Sequence, residues 1–225
     1  MKKTLITILT IGILIFLGYW ATIMYQFVEG VKKDAVRLEK FKLEQKIQNG
    51  DIIFQTSKSN QSRAIQLATN SKYSHMGIVY ENDGQFFVYE AVEPVKLTLL
   101  TDWIDCGEDK HYVIKRLKNS REVLTEDVLT KMKKIGEQYK GKPYDIYFEW
   151  SDDKIYCSEL VWKIYKDATG IEIGKLEQLS DFDLNNDIVK AKMKERYGKN
   201  IPLDEKVISP AAMFNSDRLI TIEVK

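Results

Sequence analysis

The chain has 225 residues, 44% of them hydrophobic and only four of them proline, which excludes a disordered polypeptide and leaves ample material for a core. Its 34 basic and 33 acidic residues nearly cancel to a net charge of +1, so there is no electrostatic basis for binding nucleic acid. With two cysteines and two histidines in the whole chain, thiol or metal chemistry is confined to very few positions.

After Lys2 and Lys3, residues 4–28 carry no charge and are mostly Leu, Ile, Phe and other aromatics, enough as a helix to cross the ~30 Å hydrocarbon core. Trp20 and Tyr25 suit a membrane interface. The expectation is an N-terminal membrane anchor or signal segment over 1–28, giving a single-pass protein with the remainder of the chain outside the cytoplasm. A cleaved signal, and hence a secreted or periplasmic protein, is the competing reading. Ala21 follows Tyr19 and Trp20, which are poor neighbours for cleavage. Residues 29–47 are charged, with Ala35, Leu38, Phe41 and Ile47 near helical spacing, and predict an amphipathic helical connector. Residues 48–225 suit one domain.

Tyr73-Ser74-His75-Met76-Gly77-Ile78 runs on through Asp83-Gly84 into Gln85-Phe86-Phe87-Val88-Tyr89-Glu90-Ala91, two apolar runs about a hairpin turn. A two-residue turn sets Asn82 opposite Gln85 and Gly77 opposite Glu90. His75 and Glu90 then share a face as diagonal neighbours about 7–8 Å apart, a gap their side chains can close. A three-residue loop would change this parity, which keeps Glu81 and Glu93 as rival acids. Met76, Ile78, Tyr80, Phe87, Tyr89 and Ala91 fall on the other face as core.

Further along, Cys106 sits in the acidic, turn-like segment 102–108 and reads as a free thiol, while His111 begins a strand and reads as structural. Val128, Leu129, Met132, Ile135 and Tyr139 give a helix over about 125–139 an apolar stripe, and Gly141 suits its end. Cys157 follows the polar run Ser151-Asp152-Asp153-Lys154 and opens a segment in which Leu160, Val161, Ile164, Tyr165 and Ala168 recur with helical spacing up to Gly170. A thiol at a helix N-terminus meets unpaired N–H groups and the positive end of the dipole, which favour the nucleophilic thiolate. A nearby imidazole relays protons, and a carboxylate on its far nitrogen fixes the tautomer.

Acids alternate along 181–187, but without the central Gly and closing Glu of a calcium loop, so this reads as a turn. Ser209-Pro210 reads as a helix start, and residues 219–224 alternate as a last strand. The cysteines and histidines show no paired spacing for zinc, and neither a metal nor another cofactor is expected.

At Gly50-Asp51-Ile52-Ile53-Phe54, Ala64-Ile65-Gln66-Leu67-Ala68-Thr69, Tyr73 to Ile78, Tyr89-Glu90-Ala91, Gly141-Lys142-Pro143-Tyr144-Asp145, Tyr156-Cys157-Ser158-Glu159-Leu160-Val161 and Ser209-Pro210, the chain resembles the YiiX/YaeF-like, circularly permuted papain-fold cysteine hydrolases, relatives of the NlpC-type cell-wall peptidases. The histidine precedes the cysteine, as in that family and in reverse of papain. The resemblance implies an α+β, permuted papain-like fold, an antiparallel barrel-like sheet packed on the helix that carries the nucleophile. It implies Cys157 as nucleophile, His75 as base and Glu90 as orienting group, with Tyr144, Asp145 and Tyr156 supporting the pocket. Tyr144 could line that pocket or donate to an oxyanion, for which the Cys157 backbone N–H is the other donor.

The expected function is a thiol peptidase or amidase acting on amide bonds, of cell-wall peptides or related extracytoplasmic substrates. A lipid acyl hydrolase or acyltransferase with the same nucleophile is the first alternative, and an apolar groove beside Cys157 would favour it. A non-catalytic binding module is the second.

Overall fold

Strands of alternating polarity joined by tight turns make antiparallel neighbours, and that pattern organises most of the chain. The structure, a computed structural model, describes residues 2–225, with side chains from residue 16 onward. It divides into two compact units, Met1–Lys46 and Ile47–Lys225.

The first unit is a single helix, α1 (Lys2–Glu44). Residues 29–44 of the expected connector lie in this helix. The expectation of a membrane anchor, with the partner membrane and extracytoplasmic location it implied, is corrected: among the described residues no helix is long and apolar enough to cross a membrane. The side chains of the earlier part of the expected span lie outside the described residues.

The second unit contains, in chain order, β1 (Ile52–Ser57), α2 (Ser62–Thr69), β2 (His75–Asn82), β3 (Gln85–Glu90), β4 (Lys96–Leu99), α3 (Leu100–Asp105), β5 (Gly107–Leu117), α4 (Ser120–Val123), α5 (Glu126–Glu137), α6 (Cys157–Thr169), β6 (Glu177–Gln178), α7 (Asp187–Tyr197), β7 (Lys206–Val207), α8 (Pro210–Phe214) and β8 (Leu219–Val224). Six strands form one antiparallel sheet in the order β4-β3-β2-β1-β5-β8, and β6 pairs with β7 apart from it. This is the α+β, permuted papain-like architecture, with α6 packed on β2 and β3 and α5 packed on α6.

The β2–β3 hairpin has the two-residue turn. Asn82 faces Gln85 and Ile78 faces Tyr89, with Asp83 and Gly84 at φ of +50° and +74°, the twist a tight hairpin requires. Met76, Ile78, Tyr80, Tyr89 and Ala91 are buried, joining Ile52, Phe54 and Val113 against Leu160, Val161 and Ile164 of α6, while Phe87 is only half-buried. The opposite face is covered too. Ile53, Val79, Val88 and Ile114 are buried there, because α3 packs against β3, β4 and β5 and brings in Leu100 and Trp103. The segment 102–108 that reads as a turn is thus partly helical, and its purpose in the fold is to seat Trp103.

Gly77 has a steric reason to be glycine. A Cβ there would lie 2.4 Å from Val88 Cγ1 and 2.7 Å from the Tyr89 carbonyl oxygen, closer than real contacts allow. At the other end of β1, the Asp51 carboxylate is 1% exposed along its side chain and accepts from Arg116 Nε at 2.7 Å, Arg116 Nη2 at 2.8 Å and the Gln48 backbone N–H at 2.9 Å. This fork-to-fork pair ties the start of β1 to β5. Removing one member leaves the other charged and buried. Asp51→Ala is therefore expected to cost about 3–5 kcal/mol in urea unfolding of the full chain, several times the effect of an exposed pair such as Lys140→Ala at Glu137.

Candidate active site

Three elements converge on one point. His75 opens β2, Glu90 closes β3, and Cys157 is the first residue of α6. The diagonal placement follows from the hairpin register, and the side chains close the gap: His75 Nε2 and Glu90 Oε2 are 2.5 Å apart. The other ring nitrogen of His75 is the one left for the Cys157 thiol, which acts on the same imidazole. All three side chains are buried.

Glu90 has two further partners that sequence reasoning did not find. Thr98 Oγ1 donates to its Oε1 at 2.5 Å and Trp103 Nε1 to its Oε2 at 2.9 Å. Trp103 also stacks on the His75 ring, with centroids 5.8 Å apart and planes 26° from parallel. The missed signal for Thr98 is register: it lies opposite Val88 on β4, so it shares the face of Glu90 two residues on. The signal for Trp103 was a large aromatic alone in an acidic stretch, which needs a buried partner for its N–H.

The electrostatics follow from these contacts. Burial pushes the Glu90 carboxyl up, but the hydrogen bond and charge of His75, aided by Thr98 and Trp103, outweigh it and hold the group below the usual carboxylate range. Burial likewise disfavours the His75 imidazolium. Its bonds to Cys157 and Glu90 and their negative charges more than compensate, and its pKa is pushed up to about 10. The imidazolium form is thus favoured at neutral pH.

The Cys157 helix start is held from two sides. Tyr156, the residue before it, is buried, and its hydroxyl accepts from the Ile208 backbone N–H at 3.1 Å, while Ser158 Oγ donates to the Ile208 carbonyl at 2.7 Å. From the other side, buried Glu159 pairs with Lys163 at 2.8 Å, and Lys163 Nζ donates to the Ser151 carbonyl and Asp152 Oδ1, both at 2.7 Å. That network fastens the polar loop leading into the cysteine. Being the first helical residue, Cys157 has a backbone N–H with no partner within the helix.

Cys157 borders a groove whose walls are almost wholly apolar. Ala64, Ile65 and Ala68 of α2 form one side, and Leu184, Val189 and Met193 another. Tyr144 and Tyr156 line it; Asp145 does not. Asp145 is buried and accepts from the backbone N–H groups of Tyr147 at 2.8 Å and Glu149 at 2.6 Å, so it shapes the loop after Tyr144. Cys106 is an exposed free thiol, remote in role from these contacts. Among the described residues, no group of three or more His, Cys, Asp and Glu side chains is placed to hold a metal ion.

The chain is similar to known proteins in sequence and in shape. The YiiX protein of Escherichia coli (strain K12) is 49% identical over 175 residues, which are 78% of this chain and 85% of that one. A crystal structure described as metalloprotein yiiX from Escherichia coli O157:H7 superposes with a TM-score of 0.76 at 49% identity, covering 80% of this chain and 98% of that chain. Residues 46–223 match the family model described as permuted papain-like amidase enzyme, YaeF/YiiX, C92 family. The chain belongs to this family of permuted papain-like amidases and is a cysteine hydrolase.

Proposed function

We propose that this chain cleaves amide bonds through Cys157, His75 and Glu90. The observation that carries the reading is a His75 ring bonded through Nε2 to a carboxylate that itself has three donors, with the Cys157 thiol at the helix start acting on the same imidazole. The Cys157 sulfur, as thiolate beside an imidazolium, attacks the carbonyl carbon, and a tetrahedral oxyanion forms. The Cys157 backbone N–H and the Tyr144 phenol are the donors for that oxygen. The imidazolium then gives its proton to the leaving amine, the C–N bond breaks and an acyl-thioester remains. Neutral His75 next takes a proton from water, whose oxygen attacks the thioester, and the acid product leaves as the thiolate–imidazolium pair is restored. Glu90 keeps the ring oriented and stabilises its positive form throughout.

The groove bears on the substrate. Polar wall peptides, the substrates expected first, would leave most of its surface unused, whereas an acyl chain or large apolar side chain adjoining the scissile carbonyl would bury it. The observation favours the alternative of an acyl amide or ester, cleaved by the same steps. The relative described as a metalloprotein raises a metal as well. The donor set among the described residues does not fit one, since no three His, Cys, Asp or Glu side chains are grouped to hold an ion and His75 Nε2 is bonded to Glu90, and no step is routed through an ion.

Two experiments test these readings. Alkylation of Cys157 by iodoacetamide at pH 6–7 is expected to be fast in the wild type, to fall by about 10²-fold or more in His75→Ala, and to fall less in Glu90→Gln; a rate indifferent to both changes contradicts the site. For the groove, the specificity constant along p-nitrophenyl esters from acetate to octanoate should climb about threefold to fourfold per methylene, the ~0.8 kcal/mol that burying each one yields. Val189→Asp in the groove wall should flatten that climb. A series already flat in the wild type would return the choice to polar peptides.

A further inference from the structure

The Tyr144 phenol is useful as an oxyanion donor only if its proton faces the groove. The donor and acceptor chemistry of two residues outside the Cys157, His75 and Glu90 cluster decides that direction. Arg196, in the last turn of α7, places Nη2 2.6 Å from Gln61 Oε1, and Gln61 Nε2 lies 2.9 Å from the Tyr144 hydroxyl oxygen. A guanidinium has donors only, so the Gln61 atom facing it must be the carbonyl oxygen. The amide nitrogen is then committed to Tyr144, and because it too can only donate, the phenol oxygen must accept. The phenol's own hydrogen is left free to point elsewhere.

We propose that Arg196 and Gln61 are positioning residues that turn the Tyr144 O–H toward the reacting carbonyl at Cys157. The inference rests on the reading of Cys157 as nucleophile. Each link is held by an independent contact. The Arg196 guanidinium lies over the Phe148 ring, 4.9 Å from its centroid. Gln61 immediately precedes α2, whose Ser62 hydroxyl shares a 2.7 Å hydrogen bond with Ser74, the neighbour of His75. Tyr144 has its backbone N–H bonded to Glu93 Oε2 at 2.9 Å and bridges in parallel to Ile155, two residues before Cys157. Tyr144 lines the same groove as Cys157, and burial together with the negative charge of Cys157 raises its pKa, so the phenol keeps the proton it is to donate. Packing of α7 against α2 thereby reaches the chemistry through a chain of two hydrogen bonds.

The test uses two reagents on the full chain. p-Nitrophenyl acetate acylates a thiolate through an oxyanion, while iodoacetamide alkylates it without one. Gln61→Glu is near-isosteric, but its carboxylate accepts from both Arg196 and the phenol and so draws the Tyr144 proton away from the groove. Its acylation rate is expected to drop at least about tenfold, as in Tyr144→Phe, with alkylation within about twofold of the wild type. The double variant Gln61→Glu, Tyr144→Phe should acylate no more slowly than Tyr144→Phe alone. Arg196→Lys, which still donates to the amide oxygen, should retain more acylation than Arg196→Met. Acylation at the wild-type rate in Gln61→Glu, or a loss shared equally by alkylation, would overturn the proposal. Failure of the underlying reading has a different signature: wild-type alkylation that is slow and unaffected by His75→Ala.

Discussion

The hydrogen bond between His75 Nε2 and Glu90 Oε2 is the contact on which the rest of the site depends. A carboxylate and an imidazole, both buried, tolerate that burial only because each supplies what the other lacks. The bond in turn depends on a turn of only two residues. With one more residue between β2 and β3, the side-chain parity would reverse and Glu90 would face the α6 core instead. Gly77, which faces Glu90 across the hairpin, keeps the strands close enough for the diagonal reach. Trp103 and Thr98 then saturate the carboxylate from the far side, which is why α3 and the short β4 belong to the site although neither touches the thiol.

The thiol arrives from the opposite direction in the chain and from a different kind of element. The sheet supplies an imidazole whose position is set by strand register, and α6 supplies a thiol whose position is set by a helix start. That start is fastened by Ile208 on one side and by the Glu159–Lys163–Asp152 network on the other. Precision at the sulfur therefore comes from polar anchors behind it, and the space in front stays apolar and open to substrate. The histidine-first order is a matter of connectivity alone. What the chemistry requires is that the two elements meet.

Much of this was legible in the residues because it rests on local rules. Asp83-Gly84 announces its turn, the turn dictates parity, and parity selects Glu90 over its neighbours; Gly170 caps α6 and residues 219–224 alternate as β8. What was not legible depends on tertiary partners. Gln61 and Arg196 stand 135 positions apart, and neither has a local pattern that points to Tyr144. Thr98 lies on a four-residue strand too short to show periodicity, and Trp103 on a six-residue helix whose acids resemble a turn. The N-terminal reading is overturned on a different finding: among the described residues no helix is long and apolar enough to cross a membrane.

The central claim is that His75 is an imidazolium held between Cys157 and Glu90. Nitrogen NMR of ¹⁵N-histidine-labelled protein tests it directly, since His75 and His111 are the chain's two histidines and His111→Gln assigns the signals. The predicted result is a His75 ring with both nitrogens protonated at pH 7 to 8, losing its proton only near pH 10, and returning toward ordinary titration when Cys157 is replaced by Ala. A neutral His75 at pH 7.5 that titrates near 6.5 whether or not Cys157 is present would contradict the account.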